Sequence, residues 1–293
     1  MLGDPFRTMR LHLVSGRMTH TNAALLEALR AGGADAVLTK PAQLEVVRPG
    51  DIALGRLDVL PTLEGVENGI WSLHGLRSRG VTLLNGPETL LAAHDKLATA
   101  LRLSSAGIRH PRTAHLDADS PLPRIEPPLV VKPRFGSWGR DVFLCRDGAE
   151  LAACLGSLRG REWFERQGVL VQELVPPLGY DLRLVVAAGR VAGAVERVAA
   201  DSEWRTNIAL GGWRRSTDPP PAACALALEA AAAIGGDLVG VDLLPDGGGG
   251  WFVLELNGAV DFTDEYSLNG GNVFSDIAEA LRPSEELVAA VAP

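Results

Sequence analysis

Two carboxylates and an amide stand close together near the end of the chain: Asp242 in Val241-Asp242-Leu243, then Glu255 and Asn257 in Leu254-Glu255-Leu256-Asn257. Glu255 and Asn257 alternate with apolar neighbours, so on a strand they project from one face. Asp242 reaches that face from a partner strand if the register is right. Such hard oxygen donors form the set that Mg²⁺ takes when it also bridges to phosphates. Unpaired carboxylates among apolar neighbours would be costly, and Asn is a poor strand former. Both facts point to a ligand role; the alternative is the exposed polar face of an edge hairpin.

A second constellation is Val130-Val131-Lys132-Pro133-Arg134-Phe135-Gly136-Ser137-Trp138-Gly139-Arg140. A strand delivers Lys132, and a loop with Gly136 and Gly139 follows. Glycines let backbone N–H groups approach phosphate oxygens without a Cβ in the way, and a lysine at the mouth adds a point charge. A loose hairpin tip with a solvated lysine is the other reading. Neither GxxxxGK[ST] nor a GxGxxG after a strand occurs. Further on, Val171-Gln172-Glu173-Leu174-Val175-Pro176-Pro177 reads as a strand breaking into a hinge, where exposed backbone can pair with an adenine edge. Asp181 is suited to ribose hydroxyls or to a turn. Cations then gather at Arg183, Arg197, Arg205, Arg214 and Arg215. Arg197 lies in an apolar run and needs a partner; Arg214 and Arg215 read equally as solvated surface.

The elements that must position these residues fall into two styles. Residues 10–115 alternate strands (Arg10–Val14, Val37–Thr39, Ile52–Leu54, Val81–Leu84) with helical patterns (Thr21–Arg30 and a long Glu88–Ala106 opened by Pro87). That alternation predicts a parallel sheet in an α/β lobe. The Pro- and Asp-rich stretch Asp117–Pro128 reads as a linker between lobes. Strands Leu129–Val131, Val142–Cys145, Val169–Glu173, Leu182–Ala187 and Val191–Val198 then follow at close spacing, with a helix near Gly148–Leu158. A helix at Ala222–Ile234 precedes a hairpin of Leu238–Leu243 and Trp251–Leu256, turned by Pro245-Asp246-Gly247-Gly248-Gly249-Gly250. This half is α+β with much antiparallel sheet.

At 293 residues the chain can bury a large core and suggests two or so lobes. A formal net charge of −8 without a Lys/Arg-rich run argues against nucleic acid as a partner. Cys145, Cys154 and Cys224 form no CxxC pair or zinc-like cluster, which fits a reducing cytoplasm. Neither a signal peptide nor an apolar membrane span is read, so no membrane is expected as a partner. The first eight residues carry no visible structural role.

The order of these parts is more telling than any one of them. Lys before a Gly-rich loop, Gln-Glu-x-Val, Asp-x-Arg, Arg-x-Asn and then Asp…Glu-x-Asn resembles ATP-grasp ligases of the RimK group. Gly136–Arg140 and Trp204-Arg205-Thr206-Asn207…Gly211-Gly212 resemble the LysX branch. The resemblance runs from about Asn85 to Ile277, including His94-Asp95-Lys96, and is poor before residue 80. It implies an ATP-grasp fold: an N-terminal Rossmann-like α/β (pre-ATP-grasp) domain over 1–86 and an ATP-grasp domain over 87–293. The latter divides into a central lobe to about 172 and a C-terminal lobe from about 173, clamping ATP between α+β lobes.

The resemblance also implies roles. Lys96, Lys132 and the loop Gly136, Ser137, Trp138 and Gly139 would contact ATP phosphates. Glu173 and Leu174 would face adenine, Asp181 the ribose, and Arg183 and Thr206 the nucleotide. Arg197, Arg205 and Asn207 would serve phosphoryl transfer. Asp242, Glu255 and Asn257 would hold two Mg²⁺, with Mn²⁺ able to substitute. The implied reaction activates a carboxylate as an acyl phosphate, releasing ADP, and an amine then displaces phosphate to form an amide. After Asn257 the chain reads Gly-Ala-Val-Asp-Phe-Thr-Asp-Glu-Tyr where RimK-like enzymes carry a small-Pro-Gly run. This favours the LysX branch, which joins an amino acid to the terminal glutamate of a small acidic carrier protein. Arg134, Arg140, Arg214 and Arg215 would receive that partner, and Asp261, Asp264 and Glu265 would select an amine. A small-molecule or peptide acceptor of the RimK kind, and a nucleotide-binding regulator without turnover, are the alternatives. The resemblance further implies a homo-oligomer, dimer or tetramer.

Overall fold

The computed structural model of the chain describes residues 9–282; the first eight residues lie outside the described part. The N-terminal region comprises β1 (Arg10–Val14), α1 (His20–Ala31), β2 (Asp35–Thr39), β3 (Ile52–Gly55), α2 (Ile70–Arg77) and β4 (Thr82–Leu84). The strands form a parallel sheet ordered β2-β1-β3-β4. Two faces must then be covered, and their strands accordingly read as apolar runs. Leu11, Leu13 and Leu54 pack with α1 against Phe262, Phe274 and Ile277 from the far end of the chain. Val14, Ala53 and Val81 pack against α2.

The next region comprises α3 (Pro87–His94), α4 (Lys96–Ser105), β5 (Thr113–Leu116), β6 (Leu129–Pro133), β7 (Phe143–Cys145), α5 (Gly148–Leu158), α6 (Glu162–Gln167) and β8 (Val169–Glu173). One long helix over Glu88–Ala106 is not what forms. Asp95 is extended (φ −84°, ψ 101°), ends α3 and caps α4 by accepting from Leu97 N–H. Its carboxylate also holds Arg134 bidentately at 2.7 and 2.6 Å, so the break is built into the site. The helices α3 and α4 bury Ala92, Ala93 and Leu103 against the C-terminal sheet. Asp117–Pro128 does not join lobes either. It connects β5 to β6 within one antiparallel sheet ordered β5-β8-β6-β7, because Thr113–Leu116 pairs along β8. The chain passes from this sheet to the next antiparallel sheet through the short stretch after β8 that contains Pro176 and Pro177.

The remaining elements are β9 (Tyr180–Ala187), β10 (Arg190–Val198), β11 (Trp213–Ser216), α7 (Pro221–Ala233), β12 (Leu238–Pro245), β13 (Trp251–Asn257) and α8 (Val273–Ala280). The strands make an antiparallel sheet ordered β11-β10-β9-β12-β13. The Ala-rich α7 packs flat on one face, with Ala223, Ala227 and Ala230 fully buried. Asn85 ties the N-terminal region to this sheet. Its buried amide donates to Leu238 and Gly258 carbonyls and accepts from Asp237 and Leu238 N–H. Among the described residues no helix is long and apolar enough to cross a membrane.

Candidate active site

The expected hairpin forms with the register that the metal reading requires. Asp242 on β12 stands directly opposite Glu255 on β13, with a bulge beside the pair between Asp242 and Leu243. The same row continues across the sheet, since Asp242 also faces Arg183 on β9. Two residues along β9, Asp181 faces Arg197 on β10, which faces Arg214 on β11. Acids and bases therefore meet over one face of the sheet, the acids Glu255 and Asp242 side by side at one end and the bases Arg197 and Arg214 at the other. Arg183 grips Asp242 at 2.6 and 2.7 Å, Arg197 reaches the same carboxylate at 2.8 Å, and Arg197 holds Asp181 bidentately. Burial alone would raise the Asp242 carboxyl, but Arg183 and Arg197 overcome it and hold Asp242 far below the usual carboxylate range. The Arg197 guanidinium works against burial too, and Asp181 and Asp242 keep it charged.

Above this face lies a cleft walled by the central sheet on one side and the C-terminal sheet on the other. Every residue expected to serve the nucleotide, the metal or phosphoryl transfer lines it except Arg183 and Asn257. Those two line an adjoining cleft, which shares Lys96, Gly136, Ser137, Trp138, Arg197, Asn207 and Glu255 with the first. The two clefts thus meet over Lys96 and Glu255, whose side chains lie 3.6 Å apart.

Lys132 rises from β6 into the first cleft and donates to Gln172 Oε1 at 2.9 Å. Burial pushes its ammonium down to about 8, opposed by Glu255. Gln172 carries no role in the sequence reading; its signal is the single amide that follows the apolar run Val169–Val171, opposite Val130 and two residues from Lys132 along β6. The glycine-rich loop is fixed from the C-terminal side. Arg205 donates to the carbonyls of Gly139 and Val142 at 3.0 and 3.3 Å and is itself held by Glu203. Gly139 has φ +70°, and a Cβ there would stand 2.8 Å from Asn207 Oδ1. Only glycine allows this approach.

Some expected contacts are already occupied. Asp181 is buried, with its carboxylate engaged by Arg197 and by Thr206 Oγ1 at 2.5 Å, rather than open for a ribose. Arg183 is spent on Asp242. At the hinge, Glu173 N–H donates to Arg112 O and Leu174 N–H to Pro128 O, while the Glu173 side chain accepts from Arg112. Of the four arginines expected to receive an acidic partner, Arg134 pairs with Asp95, Arg214 with Glu265 and Arg215 with Glu196. Arg140 lies over the Trp138 ring, 5.0 Å from its centroid, and lines the first cleft.

The donor set suits a divalent cation that is only partly held by protein. Asp242 and Glu255 face each other across the strands, and Asn257 is two positions beyond, its Oδ1 accepting from Ala259 N–H. Among the described residues no three His, Cys, Asp or Glu side chains gather into a cage. Phosphate and water oxygens would therefore complete the shell, as hard cations at nucleotide sites require.

Residues 93–281 match the RimK-like ATP-grasp domain. The chain belongs to the RimK-like ATP-grasp family. As a member it is an ATP-dependent carboxylate–amine ligase that uses ATP and divalent metal ions. The family match begins within α3, which explains why the sequence signal faded before residue 80. Glutamate–LysW ligase ArgX of Sulfurisphaera tokodaii is 29% identical over 241 residues, 80% of this chain and 85% of that protein. Human beta-citrylglutamate synthase B is 29% identical over 232 residues, 75% of this chain but 59% of that protein. Among solved structures, an ATP-grasp RimK domain protein from Sphaerobacter thermophilus superposes with a TM-score of 0.67 at 25% identity, covering 93% of this chain and 100% of that one. D-alanine–D-alanine ligase of Bacillus anthracis complexed with ATP gives 0.66 at 17% identity, over 97% and 99% of the two chains. This last likeness concerns the fold.

Proposed function

We propose that this ligase joins the amino group of an amino acid to the carboxylate of a glutamate at the end of a small acidic carrier protein, as the name of the Sulfurisphaera relative suggests for that enzyme. The observation that carries the reading is the meeting of two clefts over Lys96, Glu255 and Arg197. One side carries Lys132, the glycine loop and the hinge, which would hold a nucleotide, and the other reaches Asp58 and Asp261. The near-complete coverage of the LysW ligase, against a little over half of the human synthase, favours the carrier acceptor. A small-molecule carboxylate remains the second reading, supported by equal identity to the human enzyme.

In this assignment Lys96, Lys132 and the Gly136–Gly139 loop bind the ATP phosphates. The hinge at Glu173 and Leu174 receives adenine after its bonds to Arg112 and Pro128 exchange. Asp242, Glu255 and Asn257 hold Mg²⁺, two ions in the full complex, with Mn²⁺ able to replace it. The metal would neutralise phosphate charge and fix the γ-phosphoryl group for in-line attack. Arg197 steadies the transferred phosphoryl group, and the incoming carboxylate oxygen displaces ADP to give the acyl phosphate. Asp181, Thr206 and Arg183 act as positioning residues: Asp181 and Thr206 orient Arg197, and Arg183 fixes Asp242. Arg205 and Asn207 clamp the glycine loop over the phosphates. The domain division is proposed at residue 86/87, with the lobes parting near residue 173.

The test is ADP release with MgATP, an acidic peptide ending in glutamate, and glutamate or lysine as amine. Turnover that needs both peptide and amine and vanishes in Asp242→Ala/Glu255→Ala supports the assignment. Turnover with citrate or N-acetylaspartate but none with the peptide overturns the carrier acceptor.

A further inference from the structure

The second cleft carries two carboxylates, Asp58 and Asp261, that the chemistry above does not use. Asp58 lies three residues past β3, beyond the carboxyl end of a parallel strand where α/β sheets bind ligands. Asp58 and Asp261 both line this cleft, one from the N-terminal region and one from the segment after Asn257. The charged groups facing Asp58 are Arg17 at 3.3 Å, Glu67, whose carboxylate accepts from Asp58 N–H at 3.2 Å, and Asp261. The buried Arg56 guanidinium stands behind, 3.9 Å from Asp261. Three carboxylates therefore meet two guanidiniums, and Arg17 is half exposed, where an ion pair is weak. Around Asp58 itself the carboxylates outnumber the guanidiniums by one.

Two buried polar atoms give independent reasons for a ligand here. His94 lines the same cleft, is only 4% exposed, and its Nε2 has no hydrogen-bond partner. Its other ring nitrogen is taken by the Leu57 backbone, and burial lowers the imidazole to about 4, so Nε2 is a bare acceptor. Gly258 backs against this nitrogen, since a Cβ there would come within 3.3 Å of Nε2. Arg214 lines the opposite side with its Nε likewise unpartnered. A buried acceptor beside carboxylates suits an ammonium, and a buried guanidinium N–H suits a carboxylate. The ligand class with both ends is an α-amino acid.

We propose that this cleft seats the amino-acid substrate, with Asp58 and Asp261 receiving its ammonium, and that Asp58 takes a proton as the amide forms. The proposal rests on the ligase reaction above and names its second substrate site. The amine nitrogen attacks the acyl-phosphate carbon, the N–C bond forms, and the C–O bond to phosphate breaks with its electron pair on oxygen. The ammonium gives up two protons in all: one to Asp58, which passes it to water, and one that leaves with phosphate as hydrogen phosphate. Burial raises the Asp58 carboxyl above its ordinary range, which improves it as an acceptor.

Hydroxylamine separates the two halves of the reaction. It is neutral at pH 7, so hydroxamate reports acyl-phosphate formation without any demand on Asp58. With MgATP and a Glu-terminated acidic peptide, Asp58→Asn is expected to keep hydroxamate formation within about twofold. Its amide formation with glutamate or lysine should fall about 100-fold, as loss of a positioned base does. The loss should shrink as pH rises and the amine becomes neutral in solution. Asp261→Asn should raise KM for the amino acid with kcat unchanged. Hydroxamate formation also certifies that each variant is folded. Equal loss of both products, or amide formation at the wild-type rate, overturns the proposal. If the wild-type protein forms hydroxamate from citrate or N-acetylaspartate but not from the peptide, the carrier assignment fails, and the same ratio measured on that carboxylate decides Asp58.

Discussion

Lys132 offers the sharpest test of the site, because its charge is buried before any nucleotide arrives. The residue is 6% exposed, and its ammonium is bonded to the neutral Gln172 amide and lowered to about 8 by burial. The unfolded chain holds that proton up to the ordinary lysine value, about 10.5. Between the two values the unfolded state binds more protons, so stability must rise with pH there. Worked through the linkage relation, Lys132 costs roughly 3 kcal/mol at pH 7 and under about 1 kcal/mol at pH 10, a gain of roughly 2.5 kcal/mol. Lys132→Met removes the titrating group and keeps the volume. Urea unfolding of both proteins from pH 7 to pH 10 should therefore give curves that converge, the wild type gaining on the variant. MgATP should erase this pH dependence in the wild type, since phosphate charge restores the ammonium, and should leave Lys132→Met unmoved. Parallel curves for the two proteins across this range would refute a buried ammonium. A full MgATP response in Lys132→Met would refute its place at the phosphates.

Two further predictions separate scaffold from ligand. Asp242→Asn leaves Arg183 and Arg197 buried without their shared anion and should cost about 3–5 kcal/mol in urea unfolding. Glu255→Gln, partly exposed and paired only with Lys96 at 3.6 Å, should cost at most about 1 kcal/mol while abolishing the rise in melting temperature given by MgATP. Gly139→Ala forces a Cβ against Asn207 at a positive φ. That strain is about 1–2 kcal/mol, and because it falls on the loop, KM for ATP should rise about tenfold with the melting temperature of the free protein nearly unchanged.

Asn257, Glu255, Asp242, Lys132 and the glycine loop were legible in the sequence because each breaks a local pattern. A carboxylate or amide in an apolar strand, or glycines where a strand should continue, must be explained by something outside the strand. The turn Pro245–Gly250 gave the hairpin, and the alternation of strands with helices gave the parallel N-terminal sheet. What the residues alone could not give was pairing. The helix break at Asp95 is invisible to periodicity, because Leu90, Ala93, Leu97 and Leu101 keep a helical spacing across it; Arg134, 39 residues on, makes the break worthwhile. Likewise Asp117–Pro128 has the composition of a linker, yet the pairing of β5 with β8 makes it a loop inside one sheet.

The sequence by itself determined the parts of this protein: which side chains carry charge into apolar surroundings, and in what order along the chain. Tertiary structure decided which of them face a ligand and which face each other. Asp181 and Arg183 alternate on β9 much as a binding pair would. Only the register with β10 and β12 reveals that their charges are spent on Arg197 and Asp242. Asp58 and Asp261, more than two hundred residues apart, share a cleft because β3 ends where the segment after β13 begins its return. Charge is local to a residue, but the dielectric and the partners that set its chemistry belong to the fold.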